Sequence, residues 1–134
     1  MKKLSLIEGI GDAYVTKLEG EGINSIEKLL ESAAGKKGRQ AIAEKTGISE
    51  KLILKWVNRA DLFRIKGIST QYSDLLELAG VDTVPELAQR KAENLQAKMV
   101  EVNEEKKVVK RVPNLSEVES WIAQAKELPR VVTH

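Results

Sequence analysis

A segment near the start of the chain recurs 58 positions later, and this recurrence constrains the fold more than any other feature. The segment Ile7-Glu8-Gly9-Ile10-Gly11 aligns with Ile65-Lys66-Gly67-Ile68-Ser69, and the alignment continues without a gap. The matched pairs that follow are Tyr14 with Tyr72, Leu18 with Leu76, Gly22 with Gly80, Ile23 with Val81, Ile26 with Val84 and Leu29 with Leu87. The chain is therefore interpreted as two copies of one small unit.

The spacing of the apolar residues predicts helices nearly everywhere, because these residues recur every three or four positions. The short valine-rich pieces lack the alternation of a strand, and no Asn-Gly or Asp-Gly hairpin turn occurs. We therefore predict an all-α fold of eight or nine short helices in two pseudo-symmetric halves. The halves cover residues 1–60 and 61–134 and are expected to form one compact unit.

Local signals predict where several helices begin and end. Gly47 is a C-terminal stop signal, and Ser25 and Ser49 are N-cap candidates. The predicted segments are helices over 12–21, 39–46 and 92–103, a flexible basic loop over 33–38, a solvated connector over 104–107 and a last helix from Ser116. Trp56 and Trp121, which match at an offset of 65, are predicted to be core anchors. The difference between the offsets 65 and 58 gives the second half about seven extra residues.

Each copy contains a turn that can bind an anion. A helix N-terminus leaves N–H groups unpaired and carries a partial positive charge, and glycine lets a ligand approach the backbone. Such a turn would hold a phosphate of DNA or RNA and would not distinguish between bases. The predicted contacts are Gly9, Ile10, Gly11 and Lys17 in the first half, the basic cluster Lys36, Lys37 and Arg39, and Lys66, Gly67, Ser69 and Thr70 in the second half.

Other features of the sequence oppose this interpretation. Asp12 lies where an anion would bind, and Ser69 replaces the second glycine of the turn. The net charge of +2 supports nucleic-acid binding only weakly. Residues 1–60 carry 11 Lys and Arg against 8 Asp and Glu, whereas residues 61–134 carry 11 against 12, so charge favours the first half. The alternative is a protein adaptor that uses the same turns, or an exposed apolar helix face, to bind another protein.

Composition argues against catalysis and against a membrane location. The chain has no cysteine, and its only histidine is His134, to which we assign no role. Because the commonest nucleophile–base pairs are absent and the acids are scattered, we predict no catalytic residue, no metal site and no cofactor. No segment approaches the ~18 consecutive apolar residues of a membrane helix. The lack of cysteine suits the cytosol, so we expect a cytoplasmic, non-catalytic binding module.

The Ile-x-Gly-Ile-Gly turn, the Gly22-Ile23 helix end and the duplication resemble the helix-hairpin-helix superfamily. More closely, three longer strings resemble the family called domain of unknown function 4332. They are Thr46-Gly47-Ile48-Ser49, Trp56-Val57-Asn58-Arg59-Ala60-Asp61-Leu62 and Gly80-Val81-Asp82-Thr83-Val84-Pro85-Glu86-Leu87-Ala88, and the likeness spans roughly residues 4–128. The resemblance implies tandem helix-hairpin-helix units that bind nucleic acid or protein, and it implies no catalytic residues.

Overall fold

A computed structural model describes residues 2–133, so His134 lies outside the described part of the chain. Within those residues the chain forms eight α-helices and no strand, which confirms the predicted all-α class. A 3-10 turn, Leu4–Leu6, precedes the first of them. The helices are α1 (Asp12–Glu19), α2 (Ile26–Ala33), α3 (Lys36–Thr46), α4 (Glu50–Leu62), α5 (Thr70–Leu78), α6 (Val84–Ala88), α7 (Ala92–Lys106) and α8 (Leu115–Glu127). None of these helices is long and apolar enough to cross a bilayer.

The helices are divided between two compact units. The first unit contains the chain up to Asp61 together with the tail from Arg130, and the second contains Leu62–Pro129. A hydrogen bond of 2.9 Å from the Thr133 N–H to the Ala34 carbonyl attaches the tail to the end of α2. The predicted second half includes this tail, whereas its contacts place it with the first unit.

In the first unit, α3 packs closely against the end of α2. α3 begins at Lys36, so the prediction of a flexible loop over 33–38 is wrong for its second half. The sequence suggests a loop because glycine usually interrupts a helix. Here Gly38 lies inside α3, and a Cβ at that position would overlap the Ser32 carbonyl oxygen. The glycine therefore allows close packing between the helices and does not end one.

Three other helix ends in the first unit follow the predicted capping chemistry. Ser25 accepts a hydrogen bond of 3.1 Å from the Lys28 N–H, and the Ser49 hydroxyl accepts one of the same length from the Leu52 N–H. Gly47 has a φ of +77°, which is the left-handed conformation that ends α3 after Thr46. These short signals are local, so they are readable from the sequence.

The second unit has a core in which α8 packs against α6 and α7, and α5 packs against α7. α7 continues to Lys106, so the predicted connector over 104–107 is largely helical. α8 begins at Leu115, one residue before the predicted start at Ser116, and Asn114 is its N-cap. Asn114 and Glu117 form a complete capping box, which fixes this boundary.

Both tryptophans are buried, as predicted for core anchors. Trp56 lies in the first unit and Trp121 in the second, and each is at most 2% exposed. The ring of Tyr14 meets Trp56 edge-on at a centroid distance of 5.0 Å, and the ring of Tyr72 is tilted against Trp121 at 5.4 Å. Each pair lies beside one of the two glycine turns, so the turns are supported by aromatic packing.

Candidate phosphate-binding turns

The first turn bends at Gly9, whose φ of +93° is in the region that favours glycine. The Ile10 N–H donates to the Ile7 carbonyl at 3.2 Å and closes the bend, while the Ile10 side chain is buried. A Cβ at Gly9 would lie 3.7 Å from Nε1 of Trp56, which is ordinary contact. Gly9 is therefore required by backbone conformation more than by lack of space.

Gly11 has a different environment from Gly9. Its φ of −86° and ψ of 179° are open to any residue, and a Cβ there would meet nothing within 4 Å. It is the N-cap of α1 and contributes no side-chain hydrogen bond. The first-turn N–H groups of α1, from Asp12 to Tyr14, therefore have no capping side chain. Asp12 and Ala13 are exposed, so this helix start is open to a ligand.

The second turn has the same bend at Gly67, with a φ of +99°. The Ile68 N–H donates to the Ile65 carbonyl at 3.3 Å, as in the first turn. The indole lies closer here, because a Cβ at Gly67 would be 2.8 Å from Nε1 of Trp121. Both conformation and space therefore require glycine at this position.

The helix start in the second turn is only partly open, because one of its N–H groups has a capping side chain. Ser69 is the N-cap of α5, and its hydroxyl accepts a hydrogen bond of 3.3 Å from the Tyr72 N–H. The side-chain amide of Gln124 also holds the turn at Lys66. Its Oε1 accepts from the Lys66 N–H at 2.9 Å, and its Nε2 donates to the Lys66 carbonyl at 3.1 Å. One N–H of the second turn is thus satisfied by Ser69, and the backbone of Lys66 is fixed from α8.

The sequence does not reveal the role of Gln124. The residue lies 58 positions from Lys66, and it belongs to a helix whose register becomes known only with the fold. A glutamine on a solvated helix face is common, so no local pattern distinguishes it. Its two hydrogen bonds to Lys66 match the backbone donor and the backbone acceptor of that residue, which only the three-dimensional arrangement shows.

The predicted lysines lie at the surface, at different distances along the chain from the turns. Lys17 is exposed in the last turn of α1, about 7 Å along the helix axis from Asp12 at the usual rise per residue. Lys66 is exposed in the second turn itself. Lys36 and Lys37 are exposed at the start of α3, where Gly35 gives no side-chain cap. These four side chains remain candidates for phosphate contact.

Arg39 has a structural environment instead. It is only 4% exposed. Its Nη1 donates to the carbonyls of Ala33 and Ala34 at 2.9 and 2.8 Å, and its Nη2 donates to the Thr133 carbonyl at 2.6 Å. The guanidinium therefore joins the end of α2 to the tail. We correct its predicted role from phosphate contact to a structural link, because these carbonyls already use its donors.

A family model covers both turns. The model is described as Domain of unknown function (DUF4332), and it matches residues 8–128. The chain belongs to the DUF4332 family. Searches of curated proteins and of solved structures gave no match.

The match places both turns and both tryptophans of this DUF4332 domain inside the family region. Among residues 2–133 no three His, Cys, Asp or Glu side chains converge as metal ligands. The chemistry that the turns can provide is hydrogen bonding from backbone N–H groups, together with lysine charge. That combination is suited to an anion.

Proposed function

We propose that this DUF4332 domain is a non-catalytic, cytosolic module that binds the sugar-phosphate backbone of DNA or RNA without sequence specificity. The observation that carries the proposal is the open start of α1 at Gly11, where no side chain caps the helix and nothing crowds the approach. Uncapped N–H groups and the positive end of the helix dipole favour a phosphate at this point. Lys17 would add a charge one and a half turns along the same helix.

We further propose that the two units are helix-hairpin-helix copies related by duplication. The support is the set of local features that recur at an offset of 58. Gly9 and Gly67 have positive φ, and the Ile23 and Val81 N–H groups donate to the Leu18 and Leu76 carbonyls at 3.0 and 2.8 Å. These bonds close the helices α1 and α5 at equivalent positions. Two related turns on one chain would suit a ligand with repeated phosphates.

A protein-adaptor function is the second candidate. The observation that favours it is the second turn, which its own residues Ser69 and Gln124 already occupy. Leu78 at the end of α5 is 46% exposed and offers an apolar contact on the same helix. The two functions differ in their salt dependence. Backbone binding weakens steeply with ionic strength through counterion release, whereas an apolar protein interface responds much less.

The test uses the double variant Gly11→Glu with Lys17→Glu. Glutamate fits at Gly11 without a clash, and Lys17 is exposed, so helicity by circular dichroism should be unchanged. Fluorescence anisotropy with labelled duplex DNA, single-stranded DNA and RNA should show micromolar binding that falls with salt. We expect the double variant to lose this binding.

The matched control is Asn24→Glu with Lys28→Glu, which changes the charge of the same unit by the same amount. Both residues are exposed and lie outside the turn, and Lys28 forms only an exposed ion pair of 3.9 Å with Glu31. The control should retain most of the binding. If the Gly11/Lys17 variant binds as well as the parent, or if the control loses as much, the turn is not the phosphate site. If the parent binds no nucleic acid at low salt, the adaptor function replaces the proposal.

A further inference from the structure

The second unit contains a loop that the first unit lacks. In the first unit, Gly47 ends α3 in the left-handed conformation and Ser49 caps α4 two residues later. In the second unit, Lys107 ends α7 in the same conformation, with a φ of +53°, and the next cap is Asn114, seven residues later. The loop 108–113 therefore accounts for most of the extra length of the second unit.

This loop is held at several points. The side-chain amide of Asn103 forms two hydrogen bonds of 2.9 Å with the backbone of Val109, as donor and as acceptor. The Tyr72 hydroxyl donates to the Arg111 carbonyl at 3.0 Å. Arg111 in turn forms a bidentate pair with Glu117, with distances of 2.7 and 3.0 Å. The loop is thus fixed to α5, α7 and α8, and its side chains have defined positions.

The fixed loop borders an open cavity of about 1080 Å³ beside the start of α5. One wall is formed by Ser69, Gln71 and Tyr72, and the others by the end of α7 and by the loop. We call this cavity the α5–α7 groove. Its lining residues are Ser69, Gln71, Tyr72, Val100, Asn103, Glu104, Lys107, Val108, Val109, Lys110, Arg111 and Val112.

The groove combines a basic rim with an apolar floor. Three of its lining residues, Lys107, Lys110 and Arg111, are cationic, and Glu104 is the one acid among them. Arg111 is paired with Glu117, whereas Lys107 and Lys110 are exposed and have no ion pair within residues 2–133. The half-buried side chains of Val100, Val108 and Val112 supply the apolar surface. Two free charges beside apolar side chains suit a ligand that is both anionic and partly apolar.

We propose that the α5–α7 groove binds a single-stranded segment of nucleic acid, with phosphates at Lys107 and Lys110 and bases over the valines. This inference rests on the proposed nucleic-acid function and adds a second contact region to it. Proteins that bind single strands combine a positively charged groove along the backbone with aromatic side chains on which bases stack, and Tyr72 is the aromatic residue of this lining. A duplex hides its bases, so it would use the lysines but not the floor.

The mixed lining favours this ligand over an acidic peptide, while the charge of the lysines suits both. The groove is open along one side and lies at the start of α5, where the Gln71 N–H has no intrahelical acceptor. Neutral polar groups such as Gln71 line it together with the lysines, which suits a ligand that presents both phosphates and base edges. A peptide helix would instead require a deeper apolar channel.

The experiment compares two pairs of neutralising substitutions in the full chain. The test variant is Lys107→Asn with Lys110→Gln, since asparagine tolerates the left-handed conformation of residue 107. The control is Lys91→Gln with Lys126→Gln, which removes two exposed lysines of the same unit outside the groove. Anisotropy with a labelled single strand, a duplex and a poly-glutamate peptide is measured over a range of salt concentrations.

We expect the groove variant to lower the slope of log K against log salt for the single strand by about 1.4, because two phosphate contacts are lost. That change corresponds to a loss of roughly twentyfold in affinity at 0.1 M salt. The control should change the affinity by less than about twofold, and the duplex should be affected less than the single strand.

The outcomes separate the two proposals. If the single strand binds and the Gly11/Lys17 variant abolishes binding, but the groove variant equals its control, the groove inference is overturned and the proposed function stands. If poly-glutamate binds through Lys107 and Lys110 while the single strand does not, the groove is a peptide site and the inference is overturned. If no nucleic acid binds to the parent at low salt, both proposals fail.

Discussion

The first turn leaves the start of its helix uncapped, whereas the second turn caps one N–H group of its helix. At Gly11 no side chain caps α1, and a side chain added there would meet open space. At the corresponding position Ser69 caps α5, and Gln124 holds the neighbouring peptide group of Lys66. Both turns share a positive-φ glycine beside a buried tryptophan, so the difference is confined to the surface that a ligand would meet.

This difference teaches which parts of such a turn serve folding and which remain open to a ligand. The glycine beside the tryptophan is needed in both units for conformation, so its presence says little about binding. The residue at the helix start is under no such requirement, and it is there that the units diverge. Glycine at the helix start forgoes only about 0.3 kcal/mol relative to a serine cap, and it keeps N–H groups open to an anion.

The largest expected effect is a loss of stability that differs between Gly9 and Gly67, the two glycines beside the tryptophans. Gly67→Ala should lower the free energy of unfolding by about 2–5 kcal/mol, since it combines a positive φ with a Cβ too close to Trp121. Gly9→Ala should cost only about 1–2 kcal/mol, because the Cβ fits beside Trp56 and only the backbone is strained. Denaturant unfolding followed by tryptophan fluorescence measures both.

Gly11→Ala is the control for these two variants. Its backbone angles are ordinary and its Cβ position is empty, so stability should change by less than about 0.5 kcal/mol. Equal losses for Gly9→Ala and Gly67→Ala would show that backbone strain alone decides and that the closer indole in the second unit has no effect.

A smaller effect is expected from exchanging the caps. Ser69→Ala should destabilise by about 1 kcal/mol, because the Tyr72 N–H loses its acceptor, whereas Ser69→Gly should cost only a few tenths by the usual cap ranking. Gly11→Ser should stabilise the first unit by ~0.3 kcal/mol, since a serine hydroxyl can accept from the N–H of Tyr14.

The cap exchange also tests the functional difference between the turns. If the bare helix start binds phosphate, Gly11→Ser should weaken nucleic-acid binding in the anisotropy assay while raising stability. Unchanged binding by a stabilised Gly11→Ser variant would mean that the open N–H groups of α1 are not part of the interface.

Local patterns predicted the fold better than they predicted the site. The all-α class, the cap at Ser49 and the stop at Gly47 depend on neighbouring residues, so the sequence was sufficient for them. Gly38 was misread because its neighbour Ser32 lies in another helix, and the need for glycine there is steric. Arg39 was misread because burial cannot be seen in a run of basic residues.

The groove in the second unit was missed for a related reason. The two offsets predict the number of extra residues, but for the basic stretch around them the sequence predicts only a solvated connector over 104–107. The hydrogen bonds that turn this stretch into a wall come from Asn103 and Tyr72, at distances of 6 and 39 positions along the chain. The Tyr72 contact depends on the packing of α5 on α7, which no local window contains.

The smallest expected effect is a pH dependence of stability that differs between the N-cap of α8 and the N-cap of α4. In the second unit, the side-chain hydrogen bonds from Arg111 and the backbone N–H of Asn114 lower the pKa of Glu117 from its ordinary 4.5 to about 2. In the first unit, the corresponding cap of α4 pairs Ser49 with Leu52, which has no titrating group. Only the second unit should therefore lose a capping interaction in acid.

The sign follows from the direction of the pKa shift. Because the folded pKa of Glu117 lies below the unfolded one, its contribution to stability is complete above pH 4.5 and is lost as the pH falls towards 2. Glu117→Gln retains a side chain able to complete the capping box but removes the charge, so it should flatten this part of the acid-unfolding curve. Glu119→Gln, on an exposed position of the same helix, is the control.

Since Arg111 holds the groove loop through Glu117, Glu117→Gln should also loosen that loop at neutral pH, and amide exchange in residues 108–113 would then rise. If Glu117→Gln changed neither the acid-unfolding curve nor the amide exchange of residues 108–113, Asn103 and Tyr72 alone would hold the loop.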